Sequence, residues 1–206
     1  MGSGSSSRFV IKLIEGSDPL DALKEQIVVK QLILGISYIE DSKFLEKYFP
    51  KTYVHTALFI SSLDKNQFGQ DGILLEYGNY DSKDDNEGKF NYECEDGGMR
   101  YGFIKLDEFE KGLAPTAHVT LDIDTHSFML FKELIDELKK KGKWDKQNYN
   151  VITNNCQDFC AKVIEILKAK YLDICIKETK RISKGYKLDI IPSKIKVILE
   201  KNNKKK

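Results

Sequence analysis

Apolar residues change their spacing several times along this 206-residue chain, and each change marks an element. Residues 8–15 alternate Phe9, Ile11 and Leu13 against Val10, Lys12 and Ile14, the pattern of a first strand. Ser17-Asp18-Pro19 has the form of a helix start, with Asp18 as N-cap and Pro19 at the first helical position. Leu20, Leu23, Ile27 and Leu34 give that helix an apolar stripe, and a short second helix is expected over 41–49, ended by Pro50. Strand-forming runs then occupy 53–60, 72–78, 98–106 and 116–123. Residues 79–96 are polar and acidic and read as a long loop. Thr125 is the expected cap of a helix reaching Lys140, with Phe128, Phe131, Leu134, Ile135 and Leu138 at helical spacing. A last helix follows Thr153-Asn154-Asn155, with Phe159, Val163, Ile166 and Leu167 on one face. This order predicts an α+β fold, a small, mainly antiparallel sheet with helices packed against it.

Composition fits one domain with an extra segment. Hydrophobic residues make up 41% of the chain and aromatics 11%, enough to bury a core and too many for a wholly disordered chain. No apolar run approaches the ~18 residues that span a bilayer. The net charge of +1 conceals an asymmetry, since residues 177–206 carry 11 Lys or Arg against 3 Asp or Glu and the body before them is acidic. The expected division is therefore a flexible 1–7, a domain over 8–176 and a basic C-terminal extension over 177–206. An acidic body argues against nucleic acid as a partner. The tail suits an anionic membrane surface or an acidic partner, or serves solubility alone. Met1-Gly2-Ser3-Gly4-Ser5-Ser6 fits the M-G-x-x-x-[ST] pattern for myristoylation of Gly2, and MGSGSSS equally has the form of a cloning linker. Without a basic-then-apolar leader the expected location is cytoplasmic, with peripheral membrane contact through Gly2 and the tail as a second option.

Cysteines stand at 94, 156, 160 and 175 with no C-x-x-C pair, and His55, His118 and His126 are scattered, so neither a metal site nor a cofactor is expected. Cys156 is the most informative residue. It falls where a polar turn passes into an apolar-periodic helix, and the unpaired N–H groups and positive dipole end there favour thiolate over thiol. The same N–H groups can hold an oxyanion. His55, early in a strand, is the best candidate for a base. On spacing alone, a Cys at a helix start is more often a small buried hydrophobe than a nucleophile, and His55 also reads as a strand histidine satisfied by a backbone carbonyl.

The words around these residues separate the readings. Residues 149–159 read YNVITNNCQDF. They resemble the Y-x-L-x-x-x-N-C-x-x-F signature at the nucleophile of circularly permuted papain-like proteins, shared by the PPPDE peptidases and the lecithin–retinol acyltransferase family. His55-Thr56-Ala57-Leu58-Phe59-Ile60 resembles the histidine strand of both families, and the order His55 before Cys156 matches the permuted arrangement. Phe68-Gly69-Gln70-Asp71-Gly72-Ile73 is similar to the F-G-x-x-G-I stretch of PPPDE proteins. The second strand offers Glu76 or Tyr77 where the acyltransferases carry another histidine, and Gln157-Asp158 stands where they have Glu-His. The acidic 79–96 insertion and the 101-residue separation of His55 from Cys156 depart from compact PPPDE members. The resemblance covers residues 50–168.

What the resemblance implies is a cysteine hydrolase, a PPPDE-type peptidase or isopeptidase acting on a protein or ubiquitin-like conjugate. Cys156 is then the nucleophile, His55 the base and Glu76 the residue that orients the imidazole, provided it shares the face of His55. Asn155 and Gln157 mark the helix start and oxyanion region, Asn155 being better suited to capping. An acyltransferase or thioesterase, and a non-catalytic peptide- or lipid-binding module on the same fold, are the alternatives.

Overall fold

The computed structural model describes residues 26–27, 31–38, 54–61, 72–79, 93–94, 98–112, 117–123, 129–176 and 191–204. The expected first strand at 8–15, the helix start at Asp18-Pro19, the helix at 41–49, residues 1–7 with Gly2, and Thr125 and Phe128 lie outside the described residues.

The β-forming runs become strands because each carries apolar side chains on alternate or on both faces. They are β1 (Gln26–Ile27), β2 (Gln31–Tyr38), β3 (Val54–Ser61), β4 (Gly72–Tyr77), β5 (Glu93–Cys94), β6 (Met99–Ile104), β7 (Ala117–Asp122), β8 (Met129–Leu130) and β9 (Lys170–Ile176). Seven of them form one sheet in the order β5-β6-β4-β3-β2-β7-β9, with every neighbouring pair antiparallel. The helices are α1 (Leu106–Gly112), α2 (Phe131–Lys141), α3 (Cys156–Ile166) and α4 (Ser193–Asn203). The fold class is the expected α+β.

The expected first helix does not extend to Ile27 and Leu34. Leu34 and Ile27 do not share a helical stripe; they lie on β2 and β1. β2 is central, between β3 and β7, and each of its faces meets a core. Leu32, Leu34 and Ile36 enter the main core on one face and Ile33 a smaller core on the other. A run buried on both sides loses the alternation that identifies a strand in sequence. The helix expected from Thr125 begins at Phe131 among the described residues, because Met129–Leu130 pairs instead with β1. The sequence pattern does not show the two-residue strand β5, the seven-residue strand β9 or the helix α1.

Two layers of packing follow from strand alternation. One sheet face meets Phe131, Leu134, Ile135 and Leu138 of α2, Phe159, Val163 and Ile164 of α3, and Ile195 and Leu199 of α4. Fully burying one such side chain contributes about 1.5–3 kcal/mol. The other face holds Ile33, Ala57, Phe59, Leu74 and Ile104 with Phe109 of α1, whose ring centroid lies 5.4 Å from that of Phe59. Within the basic segment, α4 packs on α3, and Asn202 donates to the carbonyls of Ile164 and Ala169 at the end of α3. No helix among the described residues is long and apolar enough to cross a membrane.

Candidate active site

The turn before Cys156 is fixed by its own polar residues. Asn150 Oδ1 accepts the N–H groups of Ile152 and Thr153 at 2.9 and 3.0 Å, and Asn150 and Asn154 exchange two backbone hydrogen bonds. This closes a tight loop with Val151 and Ile152 exposed at its tip. Asn154 Nδ2 donates to the carbonyls of Lys143 and Asn148 and lies 3.2 Å from Tyr77 Oη, which donates to the Asp145 carbonyl at 3.0 Å. Trp144 packs edge-on against Tyr77 and Phe159, and Tyr149 lies against Tyr77. Gly98 permits this arrangement. A Cβ there would stand 2.2 Å from the Trp144 carbonyl oxygen, which accepts the N–H of Met99.

Asn155 then starts α3. Its backbone is extended, its Oδ1 accepts the N–H groups of Gln157 and Asp158, and Asp158 Oδ2 accepts the Asn155 N–H in return. This reciprocal cap fixes the residue at which the helix begins, and that residue is Cys156. Asn155 Nδ2 donates to the Val151 carbonyl. Gln157 Nε2 donates to the Val54 carbonyl at 3.3 Å. The side chains of both residues are thus committed to backbone groups of the loop and of β3.

The sheet receives the thiol through a gap in its ladder. β2 pairs with β3 from Val54 onward, but β4 pairs with β3 only from Ala57. The first residues of β3 therefore keep backbone groups unclaimed by β4, and Cys156 Sγ takes that place, 3.7 Å from the Val54 carbonyl oxygen. Cross-strand pairing sets Ala57, Glu76 and Arg100 in one row, and alternation puts His55 on the same face. His55 Nε2 donates to Glu76 Oε2 at 3.0 Å, and Arg100 Nε donates to Glu76 Oε1 at 2.6 Å. The remaining ring nitrogen of His55, Nδ1, is the one left for its hydrogen bond with Cys156.

These groups are buried, with Cys156 3%, His55 7%, Arg100 5% and Glu76 0% exposed. Burial alone would keep the His55 imidazole neutral. The hydrogen bond and charge of Cys156, then those of Glu76, outweigh burial and raise its pKa to about 10. Burial equally disfavours the Cys156 thiolate, yet the hydrogen bond and charge of His55, followed by the Thr56 backbone N–H, hold the thiol below its ordinary value. Cys160, one turn further along α3, is pushed well above the ordinary value, first by burial. Cys156 and Cys160 are both free thiols. A thiol held below its ordinary value beside an imidazole held above its own is an arrangement able to attack a carbonyl and then return a proton.

Cys156, His55 and Glu76, far apart in sequence, are thus brought together. Sequence reading did not find Arg100. Its only local sign is a charge between the apolar residues Met99 and Tyr101 of a strand, and the register that pairs it with Glu76 is invisible without the sheet. His118 lies on β7, two strands from β3, opposite Gly35. Among the described residues no group of three or more His, Cys, Asp or Glu is placed to hold a metal ion.

Comparison with known proteins gives one match. The model of the PPPDE putative peptidase domain fits residues 84–188, a span that contains Arg100 and Cys156 and begins after His55 and Glu76. No curated protein and no solved structure matches the chain. With just over half its length fitted by that domain, the chain belongs to the PPPDE putative peptidase domain family.

Proposed function

We propose that this protein is a cysteine peptidase or isopeptidase that acts on protein substrates, with ubiquitin-like conjugates as the substrate class. The observation that carries this reading is the buried chain Cys156–His55–Glu76 at the start of a capped helix. Cys156 is the nucleophile. Its thiolate attacks the peptide or isopeptide carbonyl carbon, forming a C–S bond and placing the carbonyl electron pair on oxygen. The Cys156 backbone N–H, at the positive end of α3, stabilises that oxyanion. His55 gives its proton to the leaving amine as the C–N bond breaks, leaving a thioester. It then takes a proton from water, whose oxygen attacks the thioester and restores the thiolate–imidazolium pair. Glu76 holds the ring in orientation throughout. The permuted papain-like order, histidine strand before cysteine helix, is part of this reading.

The test is hydrolysis of isopeptide-linked ubiquitin-like conjugates by wild type and Cys156→Ala. Cys156→Ala is expected to lose at least about 10³-fold in kcat/KM, the scale on which removing a nucleophile acts, with an unchanged circular dichroism spectrum. Cys160→Ala is expected to retain turnover. Undiminished cleavage by Cys156→Ala would move the chemistry elsewhere. Labelling of Cys156 without cleavage of any conjugate would favour a binding module on the same fold.

A further inference from the structure

A carboxylate with no exposed surface is costly to keep ionised unless cations or donors meet both of its oxygens. Glu76 is in that position, fully buried with His55 on Oε2 and Arg100 on Oε1. Among the described residues, titratable or charged groups that act on it include His55 on β3, Arg100 on β6 and Cys160 on α3. Arg100 is the one whose charge does not change over the working pH range. It is itself buried and bound to the oxygen turned away from His55, at 2.6 Å. That contact fixes the rotation of the carboxylate, because a group held at Oε1 presents Oε2 in a single direction.

We infer that Arg100 is a positioning residue for the thiol–imidazole pair, acting through Glu76 by holding that carboxylate ionised and turned toward His55. The inference rests on the proposed pairing of Cys156 with His55, and it adds a fourth member that touches no substrate. Without Arg100 the buried carboxylate gains proton affinity. A protonated Glu76 no longer supports the imidazolium, and the thiolate loses its cationic neighbour. The direction is therefore fixed: removing Arg100 moves thiolate formation at Cys156 to higher pH.

The experiment is the pH dependence of Cys156 alkylation by iodoacetamide in the full chain, read by mass spectrometry. The variants are Arg100→Met, Arg100→Lys, Glu76→Gln and the double Glu76→Gln/Arg100→Met. Arg100→Met is expected to raise the midpoint by about one pH unit, equivalent to an about tenfold slower rate on the rising limb. In the Glu76→Gln background the same substitution is expected to add no further shift, since a neutral amide needs no cation to stay neutral. Arg100→Lys keeps the charge and is expected to stay nearer wild type than Glu76→Gln. If Arg100→Met does not fold, Arg100→Lys decides. A midpoint displaced as far as that of Glu76→Gln overturns the inference. An unmoved or lowered midpoint in folded Arg100→Met overturns it too, and so does an equal shift in the Glu76→Gln background. Alkylation needs no substrate, so those results leave the peptidase reading standing, while failure of Cys156 to label ahead of Cys160 in wild type removes both.

Discussion

Cys156 and Cys160 sit one helical turn apart with opposite proton affinities, and the difference comes from neighbours rather than from depth. Both thiols are buried and both meet Thr56 of β3, but the imidazole and the Thr56 N–H act on Cys156. Alkylation follows the thiolate fraction, which rises as pH rises through the thiol pKa. A depressed pKa therefore brings the Cys156 rate to its plateau below the ordinary cysteine range around 8.5. Tryptic mapping after iodoacetamide treatment should find Cys156 carboxamidomethylated near neutral pH and Cys160 modified only after unfolding. A Cys156 midpoint at or above the ordinary range would contradict the geometry. The place of Cys156 at a helix start was readable beforehand, because the turn residues announce it. Arg100 was not, because its partner Glu76 is supplied by another strand.

At the scale of elements, the site is a helix start fitted into the opening of a strand ladder. The word YNVITNNCQDF encodes its own half of that fit. Tyr149 and Phe159 join the aromatic cluster around Tyr77, Asn150 closes the loop, and Asn155 caps the helix. Local hydrogen bonds within three or four residues are what sequence reports best. Asn155→Ala removes the acceptor for the Gln157 and Asp158 N–H groups and the donor to Val151. It is expected to cost about 1–2 kcal/mol, read as a lower urea midpoint. Cys156 labelling should slow with it, because the cap sets where the thiol stands. A variant of wild-type stability and reactivity would show that the loop, and not the cap, sets the helix start.

Across the whole molecule, the basic C-terminal segment is part of the support for the site. Lys194 of α4 bridges to Asp158 at 2.6 Å and donates to the Ile152 carbonyl, so it spans the cap and the loop on either side of Cys156. Asn202 satisfies carbonyls at the far end of α3. Asn202→Ala takes its donor from the Ala169 carbonyl, while the Ile164 carbonyl keeps the Ala169 N–H, and should destabilise the fold by about 1–3 kcal/mol. The emission of Trp144, the single tryptophan, reports the melt from within the aromatic cluster; an unchanged midpoint would mean that α4 is held without Asn202. The charge count of this segment pointed to surfaces and partners, yet Ile195 and Leu199 lie in the main core. The amino-acid sequence by itself determined the local elements that carry period or punctuation: the strands β3, β4, β6 and β7, the helix α3 and its capped start, and the place of Cys156 at that start. Tertiary structure alone decided that Gln31–Tyr38 is a central strand, that β4 stops pairing short of His55 to admit Cys156, and that Glu76 joins Arg100 to His55. The reason is that periodicity and capping act over a few residues, whereas register and two-sided burial are set by partners tens of residues away.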